Sequence, residues 1–409
     1  MARFGVDDPL SRHAETGNGQ KKAIELRRRA HQLWYEGEYS KAEIARRLGV
    51  SRAFVVRWTQ SPAQDVERDR RGWPKGLARQ WDDRVYGRIQ QLHAKLTRDP
   101  HEFFTGATAI QQHYRLRYPT APVPPLRTIG RVLAQLGLST PRKRGRGKGA
   151  ARYLCYPEHT VYHTLGTRVL EVDFVGHKFL AGQRAPVHFI GFAFKLAPKL
   201  RYFQRVQSET SAVLIQSCQD FFARIETPDV VKVDNALAAI GSGSGQRTLS
   251  RFMVFLLEQQ IVPVFAVPRK PFSQASIEGN NSVFARKFWN TQTFRSVRSL
   301  DRRLAWFNAS SQRYSGYELP PPRQPPPRFV PTVYFIRQVH EHPAHPGTAG
   351  IDVLNDFIAL PPSYVNYFVL AAWNLHSERL AILFETNSTT KRIKSMKFPI
   401  NPNAQYKLR

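Results

Sequence analysis

The chain has 409 residues, and its 61 Lys and Arg against 31 Asp and Glu give a formal net charge of +30. Copies with such a charge repel one another unless a polyanion screens it, so nucleic acid is the first partner indicated and an anionic membrane the second. Two cysteines are too few for a disulfide framework or a four-cysteine zinc site. No apolar run approaches the ~18 residues of a membrane span, and the polar start lacks the core of a signal peptide. We therefore expect a cytoplasmic protein with no membrane partner.

The N-terminal part predicts a flexible arm over residues 1–20 and a helix-turn-helix unit over 21–60. Ser40 with Glu43 three residues later forms a capping box, and Gly49 ends the helix that it starts. A second short helix follows, and in a helix-turn-helix unit this helix enters the major groove of DNA. A small helical bundle with a solvated basic face is the alternative. Three side chains of the second helix are predicted to contact DNA: Ser51, Arg52 and Arg57.

A second helical module is predicted over residues 77–140, and it resembles a helix-turn-helix unit less specifically. The stretch 141–152 (PRKRGRGKGAAR) is basic, rich in glycine and poor in apolar residues. It predicts a linker that is either simply solvated or lies along DNA phosphates. The first 152 residues hold 31 of the basic and 14 of the acidic residues, so the excess charge is largest here. The predicted DNA contacts of this part are Arg127, Arg131, Arg142, Lys143 and Arg144.

The segment 153–318 changes character, because short apolar runs alternate with helical patterns. Three strands followed by helix, strand, helix, strand and helix favour an α/β layer with parallel strands in its second half. The run 319–328 (LPPPRQPPPR) predicts a semi-rigid polyproline spacer. Short alternating runs over 329–409 predict a small β-barrel-like domain. The strands of the α/β segment are predicted at 167–175, 186–196, 200–206, 229–233 and 261–267, and its helices at 211–225, 248–260 and 276–289.

Three acidic residues stand out in the α/β segment, at spacings of 61 and 44 residues. Asp173 lies inside the first strand, Asp234 ends the fourth, and Glu278 is near the start of the last helix. A carboxylate in an apolar strand is costly unless it is paired or binds a metal, and ligands gather where strands of open α/β sheets end. Two bound Mg²⁺ ions would relieve the repulsion among three carboxylates. Taken singly, the same residues could be an edge charge, a turn residue and an exposed helix position.

The motifs around these acids resemble the catalytic core of DDE transposases and retroviral-type integrases. The carrying segments are 170–173 (LEVD), 232–235 (KVDN) and 271–281 (PFSQASIEGNN). The resemblance implies an α/β RNase H-like core with a mixed five-stranded sheet and helices, in which the three acids are catalytic and hold two Mg²⁺ or Mn²⁺ ions. It further implies cleavage of transposon-end DNA and transfer of the 3′-OH into target DNA. The helix-turn-helix modules and the C-terminal β domain match insertion-sequence transposases more loosely.

The helix that carries Glu278 departs from the retroviral pattern. Retroviral integrases have lysines four and seven residues after the glutamate, facing the viral DNA end, and this chain has Ser282 and Ala285 there. Arg286 and Lys287 are the nearest basic residues. The retroviral His/Cys zinc module is absent, because the N-terminal third contains no cysteine until residue 155, and we expect no zinc. The predicted DNA contacts near the acids are Arg269, Lys270, Asn281, Arg286 and Lys287.

Three hypotheses for function follow. The first is an active transposase that binds element ends and target DNA. It would act on DNA in the nucleoid as at least a dimer, and an accessory ATPase is compatible with this hypothesis. The second is a non-catalytic DNA-binding regulator derived from a transposase, and the third is a nuclease of the same fold without strand transfer. Retention of all three acids argues against the second. His340, His342 and His345 lie beside prolines and are interpreted as loop residues rather than metal ligands.

Overall fold

The computed structural model describes residues 17–61, 66, 81–139, 157, 159–241, 245–315, 329–386, 389–406 and 408. They belong to two compact units, one within residues 1–82 and the other within 83–409. Most of the predicted arm, the basic linker and the polyproline spacer lie outside the described residues, and with them the predicted DNA contacts Arg142, Lys143 and Arg144. Within the described ranges, every helix is too short or too polar to span a bilayer.

Three helices form the described part of the first unit: α1 (Gly17–Tyr35), α2 (Lys41–Leu48) and α3 (Arg52–Thr59). The hydroxyls of Ser40 and Ser51 cap α2 and α3, each accepting a hydrogen bond from the backbone N–H three residues on, at 3.3 and 3.2 Å. Gly49 ends α2 at a φ of 62°, in the left-handed region that glycine adopts without strain. Ile44 and Val55 are fully buried among the three helices. The predicted caps and the glycine turn are therefore present.

The second helical module comprises α4 (Asp83–Arg98), α5 (Ala107–Arg117) and α6 (Leu126–Gln135). These helices share an apolar core that also includes Tyr314, which follows a helix of the α/β part. His113 Nε2 lies 2.7 Å from the Tyr314 hydroxyl, and the buried Glu102 carboxylate accepts a hydrogen bond from Ser310 and pairs with Arg313. The module is thus packed against the α/β part.

The α/β part is built on strands in the order β3-β2-β1-β4-β5. β1 pairs antiparallel with β2, and β2 with β3, whereas β4 and β5 run parallel to β1. This order and these directions confirm the predicted RNase H-like arrangement. All residues of β4 and β5 are buried, as expected of central parallel strands. The strands are β1 (Val169–Phe179), β2 (Pro186–Phe194), β3 (Ala197–Val206), β4 (Val230–Val233) and β5 (Val262–Phe265).

Helices cover both faces of this sheet. One face packs on α7 (Ser211–Arg224) and α9 (Arg251–Glu258), with β2 contributing Ile190 and Phe192. The other face packs on α10 (Ala275–Lys287) and α11 (Val297–Arg313), with β2 contributing Phe189. This alternation along β2 follows from the two-residue period of a strand. Short elements complete this part: a π-helical turn (Thr160–Leu165), α8 (Leu237–Ile240) and two 3₁₀ turns (Pro271–Gln274 and Trp289–Thr291).

The C-terminal segment is all β, and its first strand continues the central sheet. β6 pairs parallel with β5, with Val264 opposite Tyr334 and Phe265 opposite Phe335, so the sheet has nine strands in the order β12-β11-β10-β6-β5-β4-β1-β2-β3. The Phe265 and Phe335 rings stack at 5.2 Å. The strands of this segment are β6 (Thr332–Gln338), β7 (His340–His342), β8 (His345–Val353), β9 (Asp356–Leu360), β10 (Phe368–Asn374), β11 (Arg379–Thr386) and β12 (Thr389–Lys397), with a 3₁₀ turn at Pro362–Tyr364.

The interpretation of three C-terminal histidines as loop residues is wrong. His340 and His342 belong to β7 and His345 begins β8, two strands of a separate three-stranded sheet, β7-β8-β9. His340 Nε2 lies 2.9 Å from Asp352 Oδ2. The prolines suggested a loop, but Pro343 lies in the turn between β7 and β8, and Pro346 is near the start of β8, before the residues that pair with β9.

Candidate active site

The register of β1 and β4 brings the first two predicted acids together. Glu171 pairs with Lys232 and Val172 with Val233, so Asp173 and Asp234 follow at the next positions of neighbouring parallel strands. Side chains two apart on a strand share a face, so Asp173 lies on the same face as Glu171, and Asp234 on the same face as Lys232. This is the face of the sheet that α10 covers. Glu278 lies in the first turn of that helix. All three predicted acids line one open cleft of about 490 Å³.

The three carboxylates repel one another, with Asp173 at the centre. Burial, followed by the charges of Asp234 and Glu278, raises the pKa of Asp173 to about 7. Burial also raises the pKa of Asp234, with a contribution from Glu209, although a hydrogen bond from the Ala236 N–H at 3.0 Å opposes this. Burial, followed by the charge of Glu171, raises the pKa of Glu278. The cleft therefore concentrates negative charge that a cation would neutralise.

Asp173→Asn should raise the melting temperature of the metal-free protein at pH 8. A carboxyl whose pKa is higher in the folded than in the unfolded state favours folding less as the pH rises, because ionisation costs more in the folded state. Asparagine removes that cost, and each kcal/mol gained corresponds to roughly 2–4 °C. The gain should be much smaller at pH 5, where Asp173 is protonated in the folded protein, and should vanish only below the unfolded-state pKa of about 4. Thermal melts in EDTA at both pH values measure this gain, with Asp83→Asn, which alters an exposed aspartate, as the control. An equal gain at both pH values would contradict this account.

Asn281, predicted to contact DNA, is engaged with the central acid. Its Nδ2 donates to Asp173 Oδ2 at 2.9 Å, and it lies one turn beyond Glu278 on α10. Gly191, opposite Asp173 on β2, makes this approach possible. A Cβ at Gly191 would lie 3.2 Å from Asn281 Oδ1 and 2.8 Å from Phe203 Cε1. A glycine inside the apolar run of β2 was the available sequence indication of this close approach.

A buried ion pair holds the start of α10, and sequence reasoning missed it. Glu171 Oε2 accepts hydrogen bonds from the backbone N–H groups of Ser276 and Ile277, at 2.9 and 3.0 Å. Glu171 Oε1 lies 3.7 Å from Lys232 Nζ, and the two side chains are 0% and 1% exposed. A carboxylate at a helix N-terminus satisfies amide groups that otherwise have no partner in the helix. Glu171 therefore fixes the first turn of α10, in which Glu278 lies.

The C-terminal strands supply a second missed residue, Arg337 of β6. Its Nη2 donates to Asn235 Oδ1 at 2.9 Å, and its Nη1 donates to the Ala266 carbonyl at 3.2 Å. Asn235 Nδ2 donates to the same carbonyl at 2.6 Å. Burial lowers the pKa of Arg337 to about 10. Arg337 thus fixes the residue that follows Asp234 and ties the C-terminal segment to the cleft.

Arg337→Met should destabilise the protein by about 1–3 kcal/mol, the usual cost of leaving a buried polar group without its hydrogen-bond partner. Methionine fills similar space but leaves Asn235 Oδ1 without the donor that Arg337 Nη2 supplies. Denaturant unfolding should measure the loss beside Arg379→Met, which alters an exposed arginine of β11. Equal stability of the two variants would exclude this role of Arg337.

The predicted basic contacts near the acids fall into two groups. Arg269 and Lys270 are exposed and line the acidic cleft. Arg286 and Lys287 lie at the far end of α10 and line a different cavity of about 290 Å³, between α10 and the second helical module. That cavity also contains Arg201, and repulsion from Arg286 contributes to lowering the pKa of Arg201, after burial. The four basic residues that were predicted to bind DNA together therefore line two different cavities.

The remaining predicted DNA contacts lie on the helical modules. Arg52 and Arg57 are exposed on α3, and the Ser51 hydroxyl is occupied in capping that helix. Arg127 and Arg131 are exposed on α6, one turn apart. These four arginines are available to a partner, whereas Ser51 can offer DNA its backbone and the remaining capacity of its hydroxyl.

Comparisons with known proteins cover parts of the chain. Residues 25–70 match the family described as the ATPase subunit of terminase (gpP-like), and this match lies within the first unit. A search of curated proteins found no match. Because these results leave most of the chain without a family, they assign none to the whole protein.

Solved structures of a retroviral integrase core, an intasome and a transposase are among those similar to the chain. The catalytic core domain of BIV integrase is 14% identical, with a TM-score of 0.25 over 36% of this chain and 83% of that one. A simian T-cell lymphotropic virus intasome in complex with PP2A regulatory subunit B56 gamma is 15% identical, with a TM-score of 0.31 over 77% and 100%. The Mos1 transposase paired-end complex with left transposon end is 14% identical, with a TM-score of 0.26 over 72% and 93%. The fold assignment rests on the strand order described above.

Proposed function

We propose that this protein is a DDE transposase, a metal-dependent polynucleotidyl transferase that cleaves the DNA ends of a mobile element and joins the 3′-OH to target DNA. The observation that carries the proposal is the convergence of Asp173, Asp234 and Glu278 in one cleft of an RNase H-like sheet. Each acid comes from a different element, and two exposed cations, Arg269 and Lys270, lie on the same cleft. The cleft thus combines carboxylates that would bind metal ions with cations that would bind phosphates, and this combination fits the backbone of a nucleic acid.

The donor set of the cleft fits hard divalent cations. It consists of carboxylate oxygens, which Mg²⁺ and Mn²⁺ prefer, and the mutual repulsion around Asp173 disappears when cations bind. Asp173, Asp234 and Glu278, which line the same cleft, would hold such ions. When bound, two such ions lower the pKa of the attacking hydroxyl and stabilise the leaving oxygen.

The residues of the chain contribute positioning and charge. Asn281 holds the Asp173 carboxylate, the Ala236 N–H holds that of Asp234, and the start of α10 places Glu278. Arg269 and Lys270 attract the phosphates on either side of the scissile bond. In each step an oxygen nucleophile forms one P–O bond while another breaks: water releases the 3′-OH of the element end, and that 3′-OH then displaces an oxygen of the target strand.

Recognition of DNA is assigned to the helical modules. The exposed arginines of α3 and α6 suit phosphate and base-edge contacts, which position a protein and specify its site. Synapsis of two element ends requires at least two copies of the chain on DNA. An accessory ATPase is compatible with this scheme, and the protein would act on DNA in the nucleoid.

DNA binding should weaken steeply with salt, and Arg52→Ala should reduce that dependence. Each phosphate neutralised contributes about −0.9 to the slope of log affinity against log salt concentration. We expect Arg52→Ala to make the slope less negative by about 1 if it contacts a phosphate. Arg29→Ala, which removes an exposed arginine of α1, should leave the slope unchanged. Binding titrations from 50 to 300 mM salt measure the slopes, and a flat dependence for the wild type would contradict the assignment.

The test of the proposed function is a strand-transfer assay. Purified full-length protein, Mg²⁺ and labelled DNA from the regions that flank the gene should yield nicked and then joined products, and EDTA should prevent both. Cleavage without joining would replace the proposal by a nuclease of the same fold. Binding with no chemistry in either Mg²⁺ or Mn²⁺ would leave a DNA-binding regulator and overturn the proposal.

A further inference from the structure

A cluster of two histidines and a glutamate lies beside the acidic cleft and has no part in the function proposed above. His177 belongs to β1, His188 to β2, and Glu209 to the loop between β3 and α7. His188 Nδ1 lies 3.0 Å from Glu209 Oε1, and His177 Nε2 lies 4.0 Å from the same oxygen. The two imidazole rings meet edge to face at 5.2 Å. Among the described residues, this is the one group of three such side chains whose ligand atoms all lie within 4.8 Å of one another.

The local backbone explains why these side chains converge. The pairing of β1 with β2 shifts between Val175 and Lys178, which is the register change of a β-bulge. A bulge re-aims the side chains of its strand, and His177 lies within this one. His188 is largely buried at 17% exposure, whereas His177 is 60% exposed. One ligand is therefore fixed by packing, and the other is free to turn toward it.

The chemistry of the cluster differs from that of the acidic cleft. Two imidazoles and one carboxylate are the donor set of three-ligand zinc sites that keep an open position, with metal–ligand distances of about 2.0–2.2 Å. Ligands on one such ion are roughly 3–3.5 Å apart, a spacing that His188 and Glu209 already have. The ligand atom of His177 lies within 4.8 Å of those of the other two residues, so His177 needs to approach by roughly 1–2 Å, within reach of a side-chain rotation. Imidazole selects zinc-like ions over Mg²⁺.

We infer that His177, His188 and Glu209 form a binding site for a transition-metal dication of the Zn²⁺ class, separate from the catalytic acids. The alternative is that they form only a surface ion pair. The expectation of no zinc, which concerned the retroviral His/Cys module, does not bear on this site. Its ligand Glu209 is close enough to Asp234 to raise the pKa of that carboxyl, so the two sites are neighbours.

Cobalt absorption spectroscopy on the full-length protein tests this inference. Co²⁺ substitutes for Zn²⁺ and has visible bands that report its ligands, and excess Mg²⁺ in the buffer keeps Co²⁺ from the acidic cleft. We expect one equivalent of Co²⁺ to bind, Zn²⁺ to displace it, and both His177→Ala and Glu209→Gln to weaken binding at least tenfold. His177 is exposed, so its substitution should not prevent folding.

The matched control is His342→Ala combined with His345→Ala, which removes a half-buried and an exposed imidazole whose rings lie 4.5 Å apart. This control should bind Co²⁺ like the wild type. Absence of stoichiometric binding at micromolar Co²⁺, or equal binding by wild type, His177→Ala and Glu209→Gln, would show that the cluster is an ion pair only and overturn the inference.

Discussion

Asp234→Asn should abolish both cleavage and joining, with a loss of about a thousandfold or more, which corresponds to about 4 kcal/mol of activation free energy. The substitution keeps the shape of the side chain and its acceptor for the Ala236 N–H, but it removes a charge that holds a divalent cation. A cation held in this cleft would lose one of its three carboxylates. Affinity for DNA should persist, since the basic contacts are unchanged.

Glu278→Gln should have the same effect, and the chain offers a close control for it. Glu258 is an exposed carboxylate at the end of α9, and Glu258→Gln alters it in the same way away from the cleft. Strand-transfer rates should fall with Glu278→Gln and remain at the wild-type value with Glu258→Gln. If Glu278→Gln retained strand transfer, the assignment of three acids to one catalytic centre would be refuted.

The part of the fold near the acids could be predicted because each of its strands is indicated by residues that are close together in the sequence. Each strand of the α/β segment is a short apolar run bounded by turn residues, and the predicted limits of β2 and β4 differ from the observed ones by no more than two residues. The motifs LEVD and KVDN place their acids at strand positions whose pairing the parallel register then completes. The three acids could thus be predicted from the motifs around them and from their spacing in the chain.

The supporting residues could not be predicted because each depends on a long-range pairing. Glu171 and Lys232 are visible as charges in the same two motifs, but their contact depends on the register between β1 and β4. Arg337 reaches Asn235 only because β6 adds to β5 beyond the polyproline spacer, which suggested a separate domain. Periodicity within a strand indicates which face is buried but not which strand lies beside it.

Glu171→Gln should destabilise the protein by about 3–5 kcal/mol, the usual cost of breaking a buried ion pair by removing one partner. Glutamine can still accept a hydrogen bond from Ser276 or Ile277, but it removes the carboxylate charge that lies 3.7 Å from the buried Lys232 ammonium. Denaturant unfolding should measure the loss. Asp301→Asn breaks an ion pair with Arg205 in which both partners are partly exposed, and should cost at most about 1 kcal/mol.

The double variant Glu171→Gln with Lys232→Met separates stability from positioning. Removing both charges should recover much of the lost stability, because a buried pair replaced by neutral groups is often close to neutral in free energy. The first turn of α10 would still lack its carboxylate, so Glu278 would remain less well fixed and turnover should stay about 10–100-fold below wild type. A double variant that recovers stability and turnover together would make Glu171 a structural residue only. Full stability in Glu171→Gln alone would instead mean that the buried pair is not formed in solution.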